Sequence, residues 1–269
     1  MLAASLASGC HVVLEGPPGT GKSTLLRAVA RAAGLGVELV EGNAELTPAR
    51  LVGHHDPALV LNAGYLPETW IDGPLLRAVR EGALLYIEEL NRVPEETLNV
   101  LVGVLAEGEI HVPRLGRVAA SERFRLIAAM NPFDAVGTAR VSQAISDRMN
   151  RIAIGYQDED GERAIVRQVT GLDDARAVEL ARASRSHPQV HMGASVRAAI
   201  DLVKINRELT RLRGEDGFDD AAIAALSGRL RLEEGCEKTP EQIVRELLAG
   251  LGKASAPPGG RARAGPDAP

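Results

Sequence analysis

Short apolar runs alternate with amphipathic segments over the first 155 residues. His11-Val-Val-Leu-Glu has the length and composition of a buried strand. Thr24 to Ala33 places Leu25, Leu26 and Val29 on one side of a helix, and Gly34 stops it. Residues 1–9 predict a short helix ahead of that strand, and Gly36 to Glu41 alternates as a second strand. Thr47-Pro48 marks a helix start, with Thr47 as N-cap and Pro48 in the first helical position. Ala58 to Gly64 reads as one arm of a small hairpin, and Gly73-Pro74 opens a helix over Leu75 to Arg80. Ala83-Leu-Leu-Tyr-Ile-Glu-Glu is a buried strand ending in two carboxylates. Pro94-Glu-Glu opens a helix to about Glu107, stopped by Gly108, with acids in its first turn where the dipole favours them. Glu109 to Glu122 predicts a hairpin with Gly116 in its bend, Phe124 to Met130 a strand, Val141 to Arg148 a short helix, and Arg151 to Gly155 a fifth strand. Strands alternating with helices predict an α/β fold, a parallel five-stranded sheet flanked by helices.

From Gln157 the pattern is helical only. Helices are predicted over 162–169, 174–184, 196–212 (Ser195 as N-cap, Gly214 as stop) and 219–226. Thr239-Pro-Glu-Gln is a capping box opening a helix to Ala249, with Gly250 beyond it. The division is therefore an α/β domain over 1–155, a small all-helical domain over 156–251, and a tail over 252–269. The tail is rich in Pro, Gly, Ala and Arg and too poor in apolar residues to fold.

The chemistry concentrates in the first loop. Gly16-Pro17-Pro18-Gly19-Thr20-Gly21-Lys22-Ser23 fits the phosphate-loop pattern G-x-x-x-x-G-K-[ST], and Thr24 follows it into the helix. Glycines let backbone N–H groups turn inward, and the helix N-terminus adds positive potential. Lys22 is placed to reach the β- and γ-phosphates of ATP, and the Ser23 hydroxyl to ligate Mg²⁺. The second element is Glu88-Glu89 at the C-terminal end of an apolar strand. One carboxylate there can hold Mg²⁺ through water, and the next can polarise an attacking water.

Composition narrows the partners. A net charge of -5 and only 3% aromatic residues speak against nucleic acid, which favours basic surfaces and stacking platforms. The two cysteines, Cys10 and Cys236, form no disulfide framework or metal-ligand spacing, which suits a reducing compartment. The first residues carry no basic n-region, and no apolar run is long enough to span a membrane, so a cytoplasmic protein is expected. His54-His55-Asp56 reads as a polar loop rather than a metal site, and Trp70 as a local packing anchor.

Taken in order, these motifs resemble the MoxR family of AAA+ ATPases over roughly residues 1–250. GPPGTGKS matches the Walker A motif, and LLYIEELNR resembles the Walker B strand with its Asn-Arg extension. AAMNP resembles the sensor 1 strand, which implies that Asn131 orients the lytic water. SDRM resembles the arginine-finger segment, which implies that Arg148 reaches a neighbour's site; Arg151 is the competing residue. MGASVRAAIDLV resembles the sensor 2 segment, which makes Arg197 the γ-phosphate sensor. By the same resemblance, residues near 54–72 and 109–122 sit where the family carries its helix 2 insert and its hairpin before sensor 1. Glu89 becomes the catalytic carboxylate, with Ser23 and Glu88 on Mg²⁺. Where the family usually has Asp, this chain has Glu88.

The resemblance implies a homo-oligomeric ring, expected to be a hexamer. Its work would be ATP-driven remodelling, maturation or metal-cofactor insertion in a client protein, alongside a partner with a von Willebrand factor type A domain. The competing reading is a nucleotide-gated assembly switch in which Glu88 makes turnover negligible.

Overall fold

Alternation within single strands decides how the first part of the chain packs. The computed structural model describes residues 1–132 and 142–254. In chain order, the first elements are α1 (Leu2–Ala7), β1 (His11–Glu15), α2 (Lys22–Ala33) and β2 (Val37–Glu41). Then come α3 (Pro48–Val52), β3 (Gly53–His55), α4 (Pro57–Ala63), β4 (Trp70–Asp72), α5 (Pro74–Glu81) and β5 (Leu84–Glu88). They are followed by α6 (Glu95–Glu107), β6 (Glu109–Val112), β7 (Gly116–Ala119), β8 (Arg125–Met130), α7 (Gln143–Ser146) and β9 (Met149–Ala153). β1, β2, β5, β8 and β9 form a parallel sheet in the order β2-β5-β8-β1-β9.

Both faces of that sheet are covered, so its central strands are apolar throughout rather than half polar. Val12 and Leu14 of β1, Leu84 and Tyr86 of β5, and Ile127 and Ala129 of β8 share a core with Leu2 and Leu6 of α1 and Leu26 of α2. The alternate residues, Val13, Leu85, Ile87, Leu126 and Ala128, pack on the other side with Leu75 and Leu76 of α5 and Leu98 and Leu101 of α6. Because all strands are parallel, their C-terminal ends line one edge, where α/β sheets carry their ligands.

Two local expectations are corrected. Ala58 to Gly64 is not a hairpin arm; it lies in α4 and its C-cap. The Asp56 carboxylate accepts from the Ala58 N–H at 2.8 Å and the Leu59 N–H at 3.3 Å, and Pro57 occupies the first helical turn, so a complete N-cap overrides the apolar run. The antiparallel pair is instead made by its flanks, β3 with β4. Gly116 is not alone in bending the second hairpin: it closes the turn as the first residue of β7 (φ 86°), opposite Val112, and Arg114 within the turn is left-handed as well (φ 68°), its guanidinium 3.9 Å over the Tyr65 ring. Trp70 packs on the main core as an anchor. The expected start of a helix at Val141 lies outside the described residues.

The chain divides into two compact units, Met1–Gly155 and Tyr156–Pro269. The second contains α8 (Glu159–Thr170), α9 (Ala175–Arg185), β10 (Val190–Met192), α10 (Val196–Arg213), α11 (Phe218–Leu226), β11 (Arg231–Leu232) and α12 (Pro240–Ala254). Its core joins Val166, Val178, Leu180, Leu202, Leu226 and Ile243. It is not all helical: β10 and β11 form an antiparallel pair, too short to show an alternation in the sequence. The capping box at Thr239 forms as expected, the Gln242 Oε1 accepting from the Thr239 N–H at 2.8 Å. Gly250 does not end α12, because Leu247, Leu248 and Leu251 pack on the core and outweigh the ~1 kcal/mol a helical glycine costs. Residues 252–254, expected in the tail, continue this helix, and 255–269 lie outside the described residues.

Candidate active site

The site is built where β1, β5 and β8 end. β8 lies between the other two, with Glu15 of β1 in register with Met130 and Ile87 of β5 in register with Ala128. Asn131 therefore follows the middle strand, flanked by the glycine loop after β1 and the carboxylates that end β5. The Gly16 N–H donates to the Met130 carbonyl at 3.2 Å, tying the start of the loop to the end of β8.

The loop has the geometry its glycines allow. Gly19 and Gly21 adopt φ of 79° and 83°, values that side chains resist. Gly16 is required for a different reason: a Cβ there would stand 2.0 Å from the Ile154 carbonyl oxygen. Thr20 Oγ1 donates to the Pro17 carbonyl at 3.0 Å, closing the turn around Pro18. Lys22 Nζ donates to the Gly16 and Pro17 carbonyls at 2.8 and 2.9 Å, so the ammonium lies across the loop. Thr24 is exposed in the first turn of α2.

Ser23 and Glu88 are brought together, the Ser23 hydroxyl donating to Glu88 Oε1. The Tyr86 hydroxyl lies 3.3 Å from Ser23 Oγ. Tyr86 and Glu88, two apart on one strand, share a face, and that face is the α2 side of the sheet. Burial raises the Tyr86 phenol to about 12, with Glu88 adding to the shift, so it stays protonated. Tyr86 was not among the candidates; its signal was a lone polar handle in a Leu/Ile strand two residues before the acid.

Glu89 leaves the strand in a left-handed conformation (φ 51°), uncommon for a residue with a side chain. The chain turns there into a short 3-10 turn over Leu90–Arg92, which buries Leu90 and Asn91. The half-exposed Glu89 carboxylate lies 2.9 Å from Arg92 Nε as an ion pair. Arg92, which could be read as an interface or a solvated residue, is thus the partner of the candidate base. Strain of this kind concentrates at functional sites.

The remaining candidates are carried by other elements. Arg148 is exposed after α7, its Nη1 donating to the Ala144 carbonyl at 2.7 Å. Arg151 pairs with Glu15 across the β1–β9 edge. Arg197 is exposed in the first turn of α10, in the second unit. His55 stands edge-on to Tyr65 and Trp70 with Nδ1 2.9 Å from Thr69 Oγ1, and no cluster of three metal-ligating side chains occurs among the described residues.

The donor set fits a nucleotide with its cation. A hydroxyl and a carboxylate meeting on facing elements are the hard oxygen ligands that Mg²⁺ takes. An ammonium inside a left-handed glycine loop at a helix start suits phosphate. A family model for the AAA domain (dynein-related subfamily) matches residues 11–149, just over half of the chain. The chain belongs to this AAA family. Membership implies nucleotide binding, typically with Mg²⁺, and relatives that typically assemble into rings.

Relatives extend the likeness over both units. The gas vesicle ATPase GvpN of Ancylobacter aquaticus is 31% identical over 262 residues, covering 90% of this chain and 72% of that protein. An uncharacterised protein of Staphylococcus haemolyticus is 32% identical over 202 residues, 71% of this chain and 76% of that one. Among solved structures, a Thermotoga maritima RuvB mutant matches with a TM-score of 0.52 at 18% identity, over 93% of this chain and 67% of that one. A provisionally named ATPase from Cytophaga hutchinsonii matches with a TM-score of 0.50 at 20% identity, over 92% and 87%. These two share the fold of the AAA+ core. No helix among the described residues is long and apolar enough to cross a membrane.

Proposed function

We propose that this AAA+ chain is an ATP hydrolase of the MoxR type, working as a ring to remodel or mature a client protein. The observation that supports it best is the contact of Ser23 with Glu88 beside a glycine loop holding Lys22. Lys22 would give up its loop carbonyls to the β- and γ-phosphates. Ser23 and Glu88 would hold Mg²⁺, Ser23 directly and Glu88 through its waters. Bound Mg²⁺ would neutralise charge between the phosphates. Glu89 is the base, released from Arg92 to take a proton from the attacking water, which Asn131 orients. Arg197 senses the γ-phosphate, and Arg148 serves a neighbouring subunit. The ring is expected to be a hexamer in the cytoplasm, with a von Willebrand factor type A protein as partner. The likeness to a gas vesicle ATPase makes gas-vesicle protein the first client class to test.

Glu89→Gln keeps the shape and removes the base. It is expected to bind ATP normally and release no phosphate above background in a steady-state assay. Turnover equal to wild type would move the base elsewhere. The competing reading, a ring-assembly switch, draws on Glu88 reaching Ser23 directly, which crowds the cation position. It predicts that wild type itself releases phosphate no faster than Glu89→Gln.

A further inference from the structure

The second unit holds a buried carboxylate that the nucleotide chemistry does not use. Glu162, in the first turn of α8, is 1% exposed. Its Oε1 accepts from Arg185 Nη2 at 2.7 Å and its Oε2 from Arg182 Nη1 at 3.2 Å. A carboxylate this deep needs such partners, but Arg185 does more than neutralise it. Its Nε donates to the Ala194 carbonyl at 2.7 Å, while its guanidinium lies 3.9 Å over the Tyr156 ring. Its neighbour Ser184, fully buried, accepts from the Ala194 N–H at 2.9 Å and donates to the Ala181 carbonyl at 2.6 Å. Two consecutive residues at the end of α9 thus bind both polar backbone groups of Ala194, which is itself buried.

Ala194 sits just before α10. Gly193 is pressed so closely on α9 that a Cβ there would stand 2.6 Å from the Arg185 nitrogen. Ser195 occupies the N-cap position but makes no capping bond. The start of α10 is therefore held by the α9 end rather than by its own cap, and Arg197 is the second residue of that helix.

We propose that Glu162, Arg185 and Ser184 are positioning residues that fix the launch of α10 and so aim Arg197 at the γ-phosphate. Glu162 fixes the Arg185 fork, and Arg185 and Ser184 hold Ala194 from its two sides. Arg182 is the second cation on the Glu162 carboxylate, while Arg185 also serves Ala194. The proposal rests on the reading of Arg197 as the sensor.

The test compares Ser184→Ala, Arg197→Ala and the double variant in the full-length protein. It measures turnover and the dissociation constants of ADP and of a non-hydrolysable ATP analogue. A misplacement on the order of 1 Å can cost about a hundredfold in rate, and the partial loosening of one bond is expected to cost about tenfold. Ser184→Ala should lose several-fold affinity for the analogue and keep that for ADP, and the double variant should lose no more than Arg197→Ala alone. Equal weakening of both nucleotides, no weakening of either, or losses that multiply in the double variant would overturn the proposal. Should Ser184→Ala fail to fold, Arg185→Lys carries the same comparison: it keeps a cation beside Glu162 and loses the fork that reaches Ala194. If Arg197→Ala alone behaved as wild type, the sensor reading would fall and take this role with it. A defective Arg197→Ala beside a normal Ser184→Ala sinks the positioning role alone.

Discussion

By the MoxR resemblance the acid at this position would be Asp; Glu88 is one methylene longer and accepts the Ser23 hydroxyl directly. Mg²⁺ keeps several waters in near-ideal octahedral geometry, so on this reading Glu88 would give way to a cation held here and shift Glu89 beside it. We expect Glu88→Asp to turn over faster, by roughly tenfold given that an error near 1 Å costs about a hundredfold, with ATP affinity little changed. Measuring kcat at saturating ATP and Mg²⁺ decides it; a slower variant means the site has adapted to the longer acid. His11 carries a different consequence. Its Nδ1 accepts from the Leu126 N–H at 2.9 Å, and burial, aided by Arg125, lowers its pKa from 6.5 to about 4. The folded state thus holds the neutral ring, and the unfolded state binds the extra proton between those values. Stability from this group is complete above pH 6.5 and is lost as pH falls towards 4. In melts across that window, His11→Asn, which can still accept from Leu126 but does not titrate, should lose less on acidification than wild type. Parallel curves would remove His11 from the account.

At the level of elements, Gly42 shows how closely β2 and the end of β5 are joined. A Cβ at Gly42 would stand 2.5 Å from the Glu89 carbonyl and 2.6 Å from that of Glu88, and its N–H donates to the Glu88 carbonyl at 2.8 Å. We expect Gly42→Ala to cost about 1–3 kcal/mol, as overpacking does, and to slow turnover by shifting both acids. An unchanged Tm and unchanged turnover would refute it. That constraint was invisible in the sequence, because it depends on two segments meeting 46 residues apart. The sheet was legible because Val12 to Leu14, Leu84 to Ile87 and Leu126 to Ala129 are apolar without a break, as strands covered on both faces must be. The loop was legible because its chemistry is contiguous. The arm at 58–64 was misread because Leu59, Val60 and Leu61 look like a strand, whereas Leu59 and Leu61 are exposed and the Asp56 cap decides the element. Tyr86, and the pairing of Arg92 with Glu89, escaped because partners are set by facing and turning, not by residue type.

At the scale of the molecule, the exposed Arg148 follows α7 at the start of β9, an edge strand of the sheet. In the proposed role it would leave the Ala144 carbonyl to serve a neighbouring copy, and such a residue can be worth roughly 10³–10⁵ in rate. Arg148→Ala should be inactive alone and regain activity when mixed with Lys22→Ala subunits, whose own pockets are dead but whose fingers are intact. No recovery in mixtures shown to co-assemble counts against a finger acting in trans. The order of strands also bears on how this sheet is made. β1 meets both its neighbours late: β8 begins at Arg125 and β9 at Met149. β2 and β5 can pair with each other as soon as Glu88 has emerged from the ribosome. Counted from its own synthesis, β1 must wait for over a hundred residues before β8 is made, on the order of ten seconds at ~5–20 residues per second. Of the five strands of this sheet, the earliest in sequence is thus among the last to be seated, and the glycine loop takes its shape only when the sheet that carries it is nearly complete.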